Sequence, residues 1–374
     1  MKVCVDILSG AGRKTAAAIL VSYQALPQSR PIRFLLDAGG ALESGEKKGW
    51  TQPADLDAIF ISHDHEDHMG GLIDVDSKVP VYATLPVQKQ LPSHLNLHTL
   101  PICGTIQVLG VNVTTGSAGH SFGGVWLHLD IGDGVFYSGD FSFESTLYPF
   151  TMPPKASIAL LDASYGLYEK SLEQGKKGLE SYLEEARILL MPVPQTGRAL
   201  EIACWLTSLG FEDWTLGDDC ITPEEALAAP AGSISTKIRP ILKRMNYKPF
   251  NPNAKIVLCG DPDGMSGEAA ALLLQPDRYL PIYTGHLPAH ARQAVSENKA
   301  YFIRWNVHPR KQDLKQLIEH LECRICAPLF HDIKNLNEWQ KALGPSITPH
   351  NYIEQNHDIN QETFCLPSPC TEYV

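Results

Sequence analysis

Within six residues, His63-Asp64-His65-Glu66-Asp67-His68, three histidines are interspersed with three carboxylates. Neutral imidazoles and carboxylates at this density suit zinc or a similar divalent ion. Ahead of them, Ala58, Ile59, Phe60 and Ile61 are apolar and β-prone and predict a buried strand. Behind them, Met69-Gly70-Gly71 opens a new element. The cluster therefore belongs to a loop at a strand end, where a rigid scaffold holds functional groups. A solvated histidine-rich loop is the bland alternative. Strand, His-x-His-x-Asp-His and glycines in that order favour the metal loop.

Other polar groups also fall at strand ends. Residues 32–36 run into Asp37-Ala38-Gly39-Gly40, which is either a turn or a carboxylate that orients a metal-bound histidine. His120 lies among small residues in Gly116-Ser117-Ala118-Gly119-His120-Ser121, and alone would be an ordinary loop histidine. Residues 125–131 and 135–137 predict a hairpin that delivers Ser138-Gly139-Asp140. Residues 158–161 deliver Asp162-Ala163-Ser164-Tyr165-Gly166. Late in the chain, residues 301–307 lead to His308, and residues 324–330 lead to His331-Asp332. Asp37, His63 to His68, His120, Asp140 and Asp162 recur at successive strand ends. Such loops converge on one edge of a layered sheet and can build a metal site.

The elements that must position these groups change character along the chain. Residues 3–8, 16–23, 81–84 and 106–113 supply further strands in the first part. After residue 170 a helix over 172–188, a strand over 189–194 and a helix over 199–209 follow each other. Thr196-Gly197-Arg198 sits between strand and helix, as a phosphate cradle would. Residues 237–255 carry Lys237, Arg239, Lys243, Arg244, Lys248 and Lys255 without an acid, which fits either a solvated helix face or a substrate approach. A strand at 255–260, the turn Gly264-Met265-Ser266-Gly267 and a helix at 269–274 repeat the same plan. A small α/β domain over 172–298 is expected, and a polar tail with little regular structure beyond about 345.

A chain of 374 residues can bury one large core or two moderate ones. No apolar run reaches membrane-spanning length, and residues 1–7 predict a first strand without a signal-peptide pattern. The nine cysteines are odd in number and scattered, which suits reduced thiols in a cytoplasm. Cys323 and Cys326 lack a second pair at zinc-finger spacing and are expected in a strand. A net charge of −11 argues against a general polyanion binder, so any nucleic-acid contact must be local.

Taken together, these residues resemble the metallo-β-lactamase fold, and within it the β-CASP nucleases such as ribonuclease J and the endonuclease subunit of mRNA 3′-end cleavage. Asp37, the set His63, His65, Asp67 and His68, then His120 and Asp140 match the fold's four motifs in order. Asp162 before Ala163-Ser164-Tyr165-Gly166 resembles the acidic motif A of the branch. Pro192-Val193-Pro194-Gln195-Thr196-Gly197-Arg198-Ala199-Leu200-Glu201 and Gly264-Met265-Ser266-Gly267 resemble segments of its inserted domain. His308, in Asn306-Val307-His308-Pro309-Arg310, fits motif B, and His331 fits motif C. His286 and His290 compete for motif B. His308 is preferred because a helix and then the strand to His331 follow it at the family's spacing.

The resemblance implies an α/β protein with the four-layer αββα fold and an inserted α/β β-CASP cap. The metallo-β-lactamase domain would occupy 1–171 and 299–345, the cap 172–298 and a tail 346–374. It implies two zinc ions, with manganese the alternative. His63, His65 and His120 would hold one ion. Asp67, His68 and His331 would hold the other, and Asp140 would bridge them. Asp37 would support the ligands from behind. A bridging hydroxide, oriented by Asp67, would attack phosphorus, and His308 held by Asp162 would be the general acid. Backbone N–H groups at Thr196-Gly197 and Ser266-Gly267, with Arg198 assisting, would bind neighbouring phosphates, and the basic run 237–255 would line the approach. The activity implied is a cytoplasmic ribonuclease on single-stranded RNA, with exonuclease action favoured over internal cutting. Alternatives are a single-stranded DNA nuclease, a small-ester or thioester hydrolase of the same fold, and a non-catalytic RNA-processing partner. A homodimer is compatible with all of these.

Overall fold

In a computed structural model, residues 1–42, 46–358 and 361–365 are described. Two sheets face each other. In the first, Lys2–Ser9 alternates half-buried and buried positions, so Val3, Val5 and Ile7 point inward. It pairs antiparallel with Ala18–Gln24, which pairs antiparallel with Ile32–Leu36. Ala58–Phe60, Pro80–Thr84 and Asn96–Leu100 then add in parallel. The second sheet runs from Gly104–Val108 through Val111–Ser117, Val125–Leu129, Val135–Tyr137 and Ile158–Asp162 to Ile325–Leu329.

Phe34, Phe60 and Val5 from one sheet meet Val113, Leu127, Leu160 and Leu329 from the other in a single core. Each outer face carries helices. Glu66–Met69 and Leu85–Gln88 cover the first over Leu72, Val81 and Val87. Lys311–Leu321 and Leu336–Leu343 cover the second. In Lys311–Leu321, Leu314, Leu317, Ile318 and Leu321 recur every three or four residues and form the buried stripe. The layers are thus αββα, as the motifs imply.

The chain leaves the second sheet after Asp162 and rejoins it at Ile325, where Ile158–Asp162 and Ile325–Leu329 lie parallel with Asp162 opposite Leu329. Between them it builds a five-stranded sheet in the order Trp214–Leu216, Ile256–Cys259, Ile188–Pro192, Tyr279–Tyr283, Tyr301–Phe302, every pairing parallel. Arg198–Ser208 packs on one face and Gly267–Leu273 on the other. The strand order reverses beside Ile188–Pro192, and in such sheets ligands gather beyond the carboxyl ends of the strands.

Two local expectations give way. The stretch 106–113 is a hairpin, Gly104–Val108 against Val111–Ser117. Leu109 and Gly110 turn it, with φ of +50° and +83°, a turn whose twist matches that of the strands. The tail beyond 345 is not without regular structure. Tyr352–Asp358 adds antiparallel to Lys2–Ser9, and Gln361–Cys365 adds to Tyr352–Asp358. Cys326 lies in its strand and Cys323 just ahead of it. The seven cysteines with described side chains are free. No helix among the described residues is long and apolar enough to cross a membrane.

Candidate metal centre

Asp37 follows Ile32–Leu36, and His63 lies just beyond Ala58–Phe60. His120 follows Val111–Ser117 and Asp140 follows Val135–Tyr137. Asp162 closes Ile158–Asp162 and His308 lies beyond Tyr301–Phe302. All are carboxyl ends, and His120, Asp140 and His308 open towards the seam with the five-stranded sheet. The one helical turn Glu66–Met69, with His65 at its N-cap, folds Asp67 and His68 inward.

His63, His65, His120 and Asp140 each bring one donor atom within 4.8 Å of all the others. His120 Nε2 stands 3.1 Å from His65 Nδ1 and 3.7 Å from Asp140 Oδ2, and His63 Nε2 stands 4.0 Å from the same oxygen. A tetrahedral ion with bonds of about 2.0–2.1 Å places its donors about 3.3 Å apart, close to these separations. His63 Nε2 and His65 Nε2 are buried with no hydrogen-bond partner among the described residues. A buried polar atom left so costs roughly 1–3 kcal/mol, which binding a cation offsets. The four residues therefore fit a divalent ion.

Second partners set the rings. His120 Nδ1 lies 2.7 Å from the Val307 carbonyl, and His63 Nδ1 lies 3.0 Å from Ser62 Oγ. Asp37 is fully buried and accepts from Ser62 N at 2.7 Å, Ser62 Oγ at 2.7 Å and Tyr137 Oη at 2.6 Å. It also meets His68 Nδ1 at 2.7 Å. One carboxylate thus ties two strand ends and one imidazole together, as such partners do behind metal ligands.

Burial, reinforced by the neighbouring imidazoles, pushes His63 and His65 well below the ordinary histidine value. Burial also lowers His120, to about 4 despite the nearby Asp140. These rings stay neutral, the state whose lone pair binds metal. Burial opposes the charge on Asp140, but Lys14, His68 and His308 hold its carboxyl well below the usual range. Burial opposes it on Asp67 too, and Lys14 and His68 bring that carboxyl down to about 2. Against the effect of burial, Asp140 and Asp67 raise His68 to about 10. Low imidazole values mean that protons compete with metal only in acid. Bound metal, measured by elemental analysis after dialysis, should hold from pH 7 down past 6 and fall towards pH 4. Loss already at pH 6.5, where an ordinary histidine is half protonated, would contradict this set of ligands.

His308 Nδ1 lies 2.7 Å from Asp162 Oδ2, and Asp162 Oδ1 accepts from Ser164 N at 2.9 Å and Ser164 Oγ at 2.6 Å. The His308 and His120 rings are 5.1 Å apart. Both face a cleft of about 670 Å³ between the αββα layers and the five-stranded sheet. Its far wall comes from the loops after Ile188–Pro192 and Ile256–Cys259, among them Thr196, Arg198, Asp261, Asp263 and Ser266. His286 also lines it, whereas His290 does not.

Several expected placements are not what the structure has. His331 joins none of the ligand groups. Its ring packs beside Gly166 and 5.3 Å from Trp339, around a separate hollow with Ile7, Gly12 and His350. The side chain that meets His68 from that strand end is Phe330, at 5.5 Å. Thr196 and Ser266 both line the cleft, with their hydroxyls donating to Asp64 at 3.0 Å and to Asp261. Gly197 and Gly267 do not line the cleft, and neither does any residue of the basic run 237–255. Arg198 does line it, buried, with one guanidinium nitrogen donating to Thr284 Oγ1 at 3.0 Å and Nε without a partner among the described residues.

Sequence reasoning passed over Lys14. Its Nζ stands 3.0 Å from Asp67 Oδ2 and 3.2 Å from Asp140 Oδ2. Burial works against its charge, but the two carboxylates outweigh it and hold the ammonium above its ordinary value. The available signal was the glycine-rich turn at the end of the first strand, with bases after it.

Residues 32–200 match the beta-lactamase superfamily domain. The chain carries that domain, and with its layers and motifs it is a metallo-β-lactamase-fold protein that resembles the β-CASP nucleases. The transcription termination factor FttA of Lokiarchaeum is 29% identical over 205 residues, 42% of this chain and 32% of that protein. The DNA cross-link repair protein SNM1 of Arabidopsis thaliana is 28% identical over 117 residues, 29% of this chain and 24% of that protein. The chain thus matches a third or less of the length of each of these two relatives. A solved protein of unknown function from Enterococcus faecalis V583 shares the fold, with a TM-score of 0.61 at 13% identity over 98% of this chain and all of that one.

Proposed function

We propose that the chain is a metal-dependent phosphodiesterase that shortens single-stranded RNA, with zinc as the first choice of metal and manganese the alternative. One observation carries the reading. His65, His120 and Asp140 of the four-donor group and His308, held by Asp162, line one cleft. Relatives named for transcription termination and for DNA cross-link repair support a nucleic-acid substrate. A cleft of about 670 Å³ has the size of a small-molecule site, which suits a nucleotide or two of a single strand and excludes a duplex. So short a cleft, with the basic run turned elsewhere, favours a free end over internal cutting.

His63, His65, His120 and Asp140 would hold a divalent ion, which would supply Lewis acidity and lower the pKa of an attacking water. The protein does the rest. His63, His65 and His120 present neutral nitrogens, and Asp140 adds the charge. Arg198, fixed against Thr284, brings its guanidinium charge to the cleft wall, where it attracts phosphate. Asp162 holds His308 through Nδ1, leaving Nε2 to give a proton to the leaving 3′-oxygen. Water oxygen bonds to phosphorus as the bond to that 3′-oxygen breaks. The products carry 5′-phosphate and 3′-hydroxyl ends.

The test is a panel of 5′-labelled RNA, single-stranded DNA, duplex and a small phosphodiester, each with zinc or manganese. Single-stranded RNA should be shortened fastest, with 5′-phosphate products. Ends in 2′,3′-cyclic phosphate, or faster cutting of duplex, would overturn the proposal. Because the basic run lies off the cleft, Lys243→Glu with Arg244→Glu should change KM for a short RNA less than about twofold. A KM rise of tenfold at low salt would place those bases on the substrate path after all.

A further inference from the structure

The second half of the centre also leaves buried donors, His68 Nε2 and Asp140 Oδ1, without a hydrogen-bond partner among the described residues, but an ammonium already stands among them. Asp67, His68 and Asp140 bring donors together, yet the carboxylates of Asp67 and Asp140 are already bridged by the Lys14 ammonium at 3.0 and 3.2 Å. No fourth ligand arrives from the strand Ile325–Leu329. Phe330, fully buried, sits there instead, with its ring 4.5 Å from Lys14 Nζ. An aromatic face accommodates an ammonium and offers nothing to a divalent ion. His331, the next residue, turns to the hollow beside Trp339.

The loop that carries Lys14 is fixed at both ends. The Gly10 carbonyl accepts from Phe330 N at 2.6 Å, and Gly10 N donates to Thr15 Oγ1 at 3.2 Å. Ala17 N donates to the Asp67 carbonyl at 2.7 Å. The ring of Phe330 fills the space a Cβ at Gly10 would need, 2.8 Å away. The lysine, the phenylalanine and Asp67 are thus locked to one another, and the ammonium still lines the cleft.

We propose that Lys14 takes the place of a second metal ion: the chain holds one divalent ion, on His63, His65, His120 and Asp140, and the ammonium supplies the remaining positive charge. An ammonium has three N–H donors. Two serve Asp67 and Asp140, and the third faces the cleft, where it meets a non-bridging oxygen of the scissile phosphate and stabilises the charge that grows there. Lys14 then touches the reacting group and is a catalytic residue. Its part in turnover rests on the phosphodiesterase reading, but the metal count does not.

The full chain, loaded with excess zinc and desalted, should contain one zinc per chain by elemental analysis. Two zinc ions per chain, or none, overturn the proposal whatever the substrate proves to be. Lys14→Met should lower kcat by about a hundredfold or more, the usual cost of one such donor, and Lys14→Arg should recover part of the loss with the count still at one. A Lys14→Met protein that folds and turns over like the parent would also overturn it. Lys14→Ala with Phe330→His, which removes the ammonium and offers an imidazole, should raise the count towards two. If that variant folds and still holds one, Lys14 is not what keeps the second ion out and the proposal fails. If the substitutions prevent folding, the count on the unaltered chain still decides.

Discussion

Asp140→Asn is expected to cost at least about a thousandfold in turnover, the largest loss from any single site in the chain. Its carboxylate lies 3.2 Å from Lys14, 3.3 Å from His68, 3.6 Å from His308, 3.7 Å from His120 and 4.0 Å from His63. Among the described residues, no other touches the metal donors, the buried ammonium and the proton donor at once. An amide keeps the shape and removes the charge. A divalent ion stabilises transition-state charge by several kcal/mol, and each 1.36 kcal/mol is a factor of ten in rate, so weakening that ion accounts for about three decades. Stability should also fall, because Lys14 is left with one carboxylate. Removing one partner of a buried ion pair costs about 3–5 kcal/mol, with Asp67 retaining part of it here. Zinc content, kcat and melting temperature measured together would show this. A variant within tenfold of the parent in turnover, with full zinc, would remove Asp140 from the centre.

What was legible in the sequence was what local patterning carries. Ala58–Phe60, Val135–Tyr137 and Ile158–Asp162 are buried throughout, and each ends in a polar group that an apolar run cannot continue. Strand ends and their side chains could therefore be read together, while the grouping of the tetrad and the His308–Asp162 pair came from the family resemblance. The second half of the centre was not legible. Phe330 has φ of +64°, so the backbone reverses hand at that residue and puts the phenyl ring inside and His331 outside. A histidine one residue from the expected place looks correct by spacing, and only the dihedral angle shows otherwise. Lys14 reaches Asp67 and Asp140 across 53 and 126 positions of sequence, and the glycine-rich turn before it marks a loop without saying which carboxylates the loop meets. The same holds for Tyr352–Asp358, whose partner is the first strand of the chain. Its edge pairing depends on the twist of a sheet already formed. The run 237–255 is basic by composition, but composition does not say which way a helix faces.

His308→Ala should leave the zinc count unchanged and lower turnover on RNA by about 10²–10⁴-fold, the range for a positioned general acid. The zinc count should hold because His308 lies outside the tetrad of donors; the group it forms with Asp140 and Asp162 shares only Asp140 with that tetrad. The fold should hold as well, since the side chain is partly exposed at 14% and its partner Asp162 keeps two bonds to Ser164. The decisive comparison uses two phosphodiesters. A ribose 3′-oxygen is a poor leaving group and needs a proton as the bond breaks. A nitrophenolate leaves as a stable anion and does not. If His308 Nε2 gives that proton, the variant should lose its full factor on RNA and less than about tenfold on a bis(nitrophenyl) phosphate. Asp162→Asn, which frees the ring from its 2.7 Å partner, should follow the same pattern more weakly. An equal loss on both substrates would mean that His308 positions phosphate or supports the ligands instead. The Nδ1 contact with Asp140 at 3.6 Å would then be the place to look, and the proton would have to come from another residue of the cleft, with His286 the first to mutate.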